Sequence, residues 1–242
     1  MKVHHYSIGR SGCTFISQLL ANIFGLENLD SGHSGYKVDG DLPVVITLRD
    51  FKDVVLSFWR VHNDISLKDL ELGKRASFEE IKPELNMVKK SIDQHLNPTF
   101  ENNNKVLILR YEDFFPDNFD YIFSQFEDFF DIQISKKMKK KLIQNYSFKK
   151  NKYKASKMTS FKQYDKEYIH GLHLYNGKIG GWTDLLNPID HAELELALNM
   201  TSKLFQPHWL MIMSVLSGTF MGFFFSTIIS FFVKKTDLNQ IS

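Results

Sequence analysis

Residues 8–15, IGRSGCTF, hold the residue types of an anion site. Gly9 and Gly12 let a backbone come close to a ligand. Arg10 adds a planar charged fork, and Ser11 and Thr14 add hydroxyls. Between a strand and a helix, such a turn aims backbone N–H groups outward, and the helix dipole favours negative charge. The chemistry implied is capture of a phosphate or sulfate group; the alternative is an ordinary Gly/Ser turn. A G-x-x-x-x-G-K-[ST] loop is excluded, because the two glycines stand too close and no Lys-Ser or Lys-Thr pair follows. Arg49 is the second candidate. It ends the apolar run 43–48, and polar residues at strand C-terminal ends of open α/β sheets face the ligand crevice. Cys13, the sole cysteine, excludes an internal disulfide and reads as a small apolar residue in the turn. No Cys/His cluster has metal-ligand spacing, so no metal is expected.

The elements that must position these residues follow from hydrophobic pattern. Residues 2–7 read as a strand and 15–24 as an amphipathic helix. Residues 25–42 form a Gly/Ser/Asp-rich connection that contains His33. Residues 43–48 read as a buried parallel strand, and 53–59 continue as a helix. Residues 63–75 are polar, irregular or briefly helical. Ser77 with Glu80 forms a capping box that starts a helix towards His95, with Pro83 in its first turns. A loop at 97–104 leads to a second buried strand at 105–110. In the helix 117–130, Phe119, Ile122, Phe123, Phe126 and Phe130 share a core face. Residues 135–166 are strongly basic, either a solvated face or a surface for anionic ligands or lipid headgroups. A glycine-rich loop at 175–182 and a helix at 190–205 complete an α/β domain.

Formal net charge is +2, so there is no general polyanion signature and no nucleic-acid partner is expected. Residues 209–233 carry no charge and are long enough to cross a bilayer. His208 and Trp209 flank one end and Lys234 and Lys235 the other, as interfacial anchors would. Gly218 and Gly222 make a G-x-x-x-G step that could pair two copies as a homodimer. A buried core helix is the alternative. The expected organisation is a domain over 1–205, a transmembrane helix over 209–233 and a polar tail over 234–242.

Four segments now stand in one order: GRSGCTF, TLRDFKDVVLSFW, LRYEDF and YNGKIGGWTDLL. Together they resemble the sulfotransferase family that uses 3′-phosphoadenosine 5′-phosphosulfate (PAPS). That family carries a P-[KR]-S-G-T-T-[WF] loop, an R-[DN]-P-[RK]-D-V-x-x-S segment, a Y-E-D segment and an R-K-G-x-x-G-D-W loop. The resemblance spans residues 2 to 186. It implies a three-layer sandwich with a central parallel sheet, the P-loop-like sulfotransferase fold, beside the transmembrane helix. It also implies PAPS as co-substrate. By the resemblance, Arg10 contacts the phosphosulfate and is catalytic. Ser11, Gly12, Cys13 and Thr14 wrap the 5′-phosphate, and Phe15 lies beside the adenine. Arg49 and Ser57 hold the 3′-phosphate, Tyr111 lies near the adenine, and Gly177 and Trp182 belong to the closing loop.

The sequence departs from the family at several positions. Gly9 replaces a proline, Cys13 a threonine and Phe51 a proline. Tyr175-Asn176 stands for Arg-Lys, with Lys178 close enough to compensate. In the family the region between these two motifs supplies the catalytic histidine, so the resemblance implies His33, the only histidine between Arg10 and Arg49, as the base, with a loop histidine of no role as the alternative; Glu27 is the fallback, since some branches of the family use a glutamate, and His4, His5, His170 and His173 are weaker. Sulfuryl transfer spreads charge over equatorial oxygens, so the protein supplies mainly position and electrostatics. The expected activity is therefore transfer to a hydroxyl or amine on an alcohol, glycan or lipid near the membrane. The alternatives are an inactive nucleotide-binding protein on an anchor, a P-loop kinase-like enzyme, or a structural membrane protein. The catalytic domain is expected on the cytoplasmic side.

Overall fold

The computed structural model describes residues 1–32, 42–101, 105–165, 169–171, 174 and 177–202; of 92–101 and 198–202 it describes the backbone. Met1–Leu194 form one compact unit, and a second begins at Glu195. The expected span at 209–233, its Gly218/Gly222 step and the tail lie outside the described residues. Among the described residues no helix is long and apolar enough to cross a membrane.

Four strands, β1 (Val3–Ser7), β2 (Leu29–Gly32), β3 (Val44–Leu48) and β4 (Val106–Arg110), pair in parallel in the order β2-β1-β3-β4. Helix α1 (Cys13–Phe24) links β1 to β2. Helices α2 (Phe51–His62), α3 (Leu67–Glu71) and α4 (Phe78–Glu101) link β3 to β4. The first crossover runs to one edge of the sheet and the second to the other. Right-handed connections then put their helices on opposite faces. The winding reverses between β1 and β3, and a ligand crevice opens beyond the strand ends at such a switch point.

After β4 come α5 (Tyr111–Phe114), α6 (Phe119–Phe130), α7 (Lys136–Tyr146), α8 (Phe148–Ala155) and, after two short 3-10 turns, α9 (His191–Ser202). The five expected core residues of α6 are buried and pack with Ile16, Leu19 and Leu20 of α1 and with Val45 and Leu107 of the sheet. Removing this apolar surface from water is the main stabilising term.

Several boundaries differ from the sequence reading. β2 falls inside the expected connection: its residues LDSG carry no apolar pattern, and an edge strand can pair through its backbone alone. β4 is the opposite edge, so its side chains alternate, with Ile108 38% exposed, instead of being buried throughout. α2 starts at Phe51 because the Asp50 side chain caps it, accepting from the Lys52 N–H at 2.8 Å. Phe51 thus takes the first helical position, where a proline would also fit. α4 has the expected capping box, the Ser77 N–H donating to Glu80 at 2.7 Å and the Glu80 N–H to Ser77 Oγ at 3.3 Å. It continues to Glu101, into the expected loop.

Candidate functional site

The turn after β1 carries Arg10 at φ 72°, a left-handed conformation for a residue that has a Cβ. Such a residue costs about 1–3 kcal/mol and persists where its surroundings hold it. Here Ser11 is the brace. Its hydroxyl donates to the Ile8 carbonyl at 2.6 Å and, that proton being used, accepts from Thr47 Oγ1 at 2.8 Å. The Ser11 side chain is fully buried, which corrects the expectation that its hydroxyl faces an anion; only its backbone N–H is left for that task. Gly12, at φ 86°, caps α1. A Cβ there would meet Phe114 at 2.8 Å and Tyr111 at 3.0 Å, so glycine is required on both counts. α1 starts at Cys13, which is buried and lines the cleft.

The cleft beyond β1 and β3 is lined by Arg10, Gly12, Arg49, Asp53, Ser57, Arg60, Tyr111, Lys178 and Leu185 among others. Arg10 Nε donates to Ser57 Oγ at 2.9 Å, joining the first two expected motifs. Arg49 follows β3 and its guanidinium lies 4.3 Å from the Tyr111 ring. It pairs with Asp53 at 3.3 Å and reaches the carbonyls of Arg10 and Lys178 at 3.4 Å each. Its buried Nε has no hydrogen-bond partner among the described residues. Asp53, 3% exposed, accepts from the backbone N–H of Gly180 at 3.0 Å and of Trp182 at 2.8 Å, so it clasps the closing loop to α2. Burial first, then the charge of Arg60, push the Arg10 guanidinium down to about 9. Among the described residues, the lining thus holds four cationic side chains and one carboxylate, the latter already bonded to Arg49 and the closing loop.

A second recess adjoins the first and shares Gly12, Tyr111 and Leu174 with it. Its walls are aromatic. Tyr111 stacks on Phe115 at 4.7 Å between centroids, and Phe148 meets Phe115 edge-on at 5.1 Å. Phe15 and Thr14 line the same recess, Phe15 packing against Phe114 and Phe119. Burial raises the Tyr111 pKa, so its hydroxyl stays protonated and donates to the Gly177 carbonyl at 3.5 Å. A Cβ on Gly177 would fall 2.1 Å from Phe115, and its φ is 66°. The closing-loop glycine therefore seats against the aromatic wall.

The structure brings Arg10, Gly12, Cys13, Thr14, Phe15, Arg49, Ser57, Tyr111, Gly177 and Lys178 to these two recesses. Lys178 differs from expectation: its ammonium pairs with Asp184 at 3.0 Å, although the residue borders the cleft. Trp182 is buried beneath the Lys52 ammonium. His33, Tyr175, Asn176 and His173 lie outside the described residues. Glu27 precedes β2, whose Leu29 is level with Val3 at the start of β1. That is the end of the sheet away from the cleft, which removes Glu27 as a base. His5 is buried against Ser17, and His4 bonds Asp30. His170 stacks on Phe161, whose ring lies 5.7 Å from the Arg10 guanidinium.

Sequence reasoning missed three contributors. Asp53 had a signal: it lies one helical turn after Arg49, within the second motif. Arg60, 2% exposed, lies on the α2 face of Asp53 and Ser57, and its helical spacing could have found it. Phe148 had none, because it stands 133 positions beyond Phe15 in a lysine-rich stretch.

A family model matches the sequence, and solved structures match the fold. A family model described as a sulfotransferase domain matches residues 36–201, more than half of the chain, starting after the Arg10 loop. No curated protein sequence matches the chain. Among solved structures, mouse sulfotransferase SULT7A1 complexed with PAP has a TM-score of 0.59 at 15% identity, covering 90% of this chain and 88% of its own. Retinol dehydratase with androsterone and the inactive cofactor PAP has a TM-score of 0.57 at 15% identity, covering 85% and 81%. Its complex with retinol and PAP has 0.54 at 15% identity and the same coverage. At these identities the structural likeness establishes the fold alone, a parallel sheet flanked by helices. With the match over residues 36–201, the chain belongs to the sulfotransferase domain family.

Proposed function

We propose that this protein transfers a sulfuryl group from PAPS to a hydroxyl or amine acceptor. The observation that carries this reading is the pairing of two adjoining recesses at the switch point, one cationic and one aromatic, joined at Gly12 and Tyr111. A purine fits between flat aromatic walls. Phosphate and sulfate groups fit guanidinium forks and a helix N-terminus. Arg49 Nε, without a partner among the described residues, leaves a donor for such a group.

In this reading Arg49 and Ser57 hold the 3′-phosphate, while Gly12, Cys13 and Thr14 present backbone N–H groups and a hydroxyl to the 5′-phosphate. Arg10 neutralises charge that builds on the sulfuryl oxygens and on the bridging oxygen as it leaves. Its bond to Ser57 fixes its direction before the donor arrives. His33 would take the acceptor proton. The acceptor is an alcohol, glycan, lipid or amine. The related folds were solved with androsterone or retinol, apolar molecules that carry oxygen, which supports a hydroxyl acceptor of that kind. Residues 209–233 would anchor the domain in a bilayer on its cytoplasmic side.

A second reading is favoured by one observation. With Tyr175-Asn176 in place of Arg-Lys and Lys178 turned to Asp184, the closing loop offers weaker anion contacts. The protein would then bind nucleotide without turnover. Calorimetric titration of the full chain in detergent with adenosine 3′,5′-bisphosphate and with ATP separates these cases. Tight binding of the bisphosphate alone, followed by label transfer from PAPS to a hydroxyl acceptor, is the expected result. Bisphosphate binding without transfer would favour the inactive protein. Binding of ATP alone would overturn both readings.

A further inference from the structure

Charge in this chain is segregated. Residues 132–164 hold eleven lysines and no Asp or Glu. Since the whole chain has 30 basic and 28 acidic residues, the remainder holds 19 basic and 28 acidic, a formal charge of −9. A solvated surface disperses its charges, whereas here one segment collects a third of the cations and excludes every carboxylate. Two consecutive helices carry it. α7 buries Leu142 and Tyr146, and its exposed positions are Lys136, Lys137, Lys140 and Lys141 followed by Ile143, Gln144 and Asn145. α8 buries Asn151 and Ala155, and Lys149, Lys150 and Lys152 are exposed. Each helix is therefore amphipathic, with lysine the commonest residue on its outer face. Among pairs of described residues, one ion bridge reaches the segment, Lys139 to Glu127 at 2.8 Å, and it uses a lysine nearer the inner stripe.

Apolar side chains stand among these lysines. Ile143 is 42% exposed between Lys140 and the end of α7, and Tyr153 is 62% exposed with the Lys157 ammonium 4.4 Å from its ring. Clustered lysines interleaved with exposed apolar and aromatic side chains match a lipid headgroup layer, where the cations meet phosphates and the apolar groups enter the acyl boundary. A soluble polyanion without bases, such as a sulfated glycan, would engage mainly the cations and gain nothing from the exposed Ile143. The uncharged run at 209–233 also bears on the choice of occupant, because its length suits a bilayer crossing.

We propose that the outer face of α7 and α8 docks on a bilayer rich in anionic lipid. α8 also supplies Phe148 and Asn151 to the aromatic recess, so the docked helix walls the candidate nucleotide site from behind. Docking would hold that recess at the membrane surface, within reach of an acceptor carried in the lipid layer.

The test uses the full chain with vesicles of phosphatidylcholine alone or with about one-third phosphatidylserine. Lysine acetylation is read residue by residue by mass spectrometry. The lysines of α7 and α8 should react at least about fivefold more slowly on the phosphatidylserine vesicles, and high salt should restore them. Exposed Lys68 and Lys74 serve as controls and should not change. Replacing four outer lysines together, K136E, K140E, K149E and K152E, should abolish the difference at the remaining ones. Adenosine 3′,5′-bisphosphate binding is measured on the same sample, so failure of docking is distinguishable from failure of the functional reading. Equal reactivity on both vesicles would overturn the proposal. So would protection by a heparin oligosaccharide in the absence of anionic lipid protection, which would assign the face to a soluble polyanion.

Discussion

The cationic cleft and the aromatic recess share Gly12, Tyr111 and Leu174, yet they hold their shapes by different means. The cleft is fixed by directed bonds: Arg10 to Ser57, Arg49 to Asp53, and Asp53 to two N–H groups of the closing loop. Each of these bonds is made in one geometry, and a wrong residue leaves a buried charge without its partner. The recess is fixed by packing of flat rings, Tyr111 on Phe115 and Phe148 against Phe115. Ring contacts tolerate small shifts and contribute through area and stacking. The cleft should therefore read how many anionic groups a ligand carries and where, while the recess should read only that a base is present.

Substitutions on each side can break or sharpen that contrast. The largest effect is expected for Arg49→Ala. Loss of a charge-assisted, largely buried contact costs about 2–5 kcal/mol, so adenosine 3′,5′-bisphosphate should bind about a hundredfold more weakly, with adenosine 5′-phosphate far less affected. Equal, small losses for both ligands in calorimetry would remove Arg49 from the 3′-phosphate site. Asp53→Asn comes next. The amide cannot neutralise Arg49 and turns an acceptor into a donor beside a backbone N–H, at a cost of about 2–3 kcal/mol in stability. Chemical denaturation should show it, and proteolysis should now cut near Gly180. An unchanged cutting pattern would mean that the clasp is not what holds the loop.

Phe148→Ala should weaken every adenine nucleotide by a similar factor, about tenfold from lost stacking, whatever the phosphate pattern. A loss confined to the bisphosphate would break the division of labour between the two recesses. The smallest effect expected is on pH. Arg10 is held at about 9, below its ordinary value, by burial and Arg60, and a bound anion favours its charged form. Bisphosphate affinity should therefore stay level between about pH 7 and 8 and fall as pH rises through about 9. The empty protein has the opposite sign: its unfolded chain binds that proton more tightly, so this group adds stability as pH rises above about 9. A titration of affinity against pH, repeated on Arg10→Lys, checks the assignment.

The parts legible in the sequence were those governed by short-range rules. The apolar run of β3, the Phe/Ile face of α6 and the Ser77–Glu80 capping box depend on residues within a few turns of one another. So do the glycines, arginines and hydroxyls of the first two motifs, and their order along the chain carried the family resemblance. β2 was missed because an edge strand that pairs through its backbone needs no hydrophobic pattern.

Other features were decided by the tertiary structure, because they depend on which distant residue arrives alongside. The Ser11 hydroxyl turns inward because Thr47 on the neighbouring strand stands within 2.8 Å to donate to it. Asp53 acts as a clasp because Gly180 and Trp182, more than 120 positions away, bring two N–H groups to it. Phe148 becomes a wall of the recess because α8 packs it against Phe115. Glu27 is lost as a base for the same kind of reason: parallel pairing of β2 with β1 sets it at the far end of the sheet. Sequence alone determined the residue types and their local geometry, which follow from backbone sterics and periodic burial. The fold decided their partners, because hydrogen bonds and ring contacts act over a few ångströms and only packing brings distant segments that close.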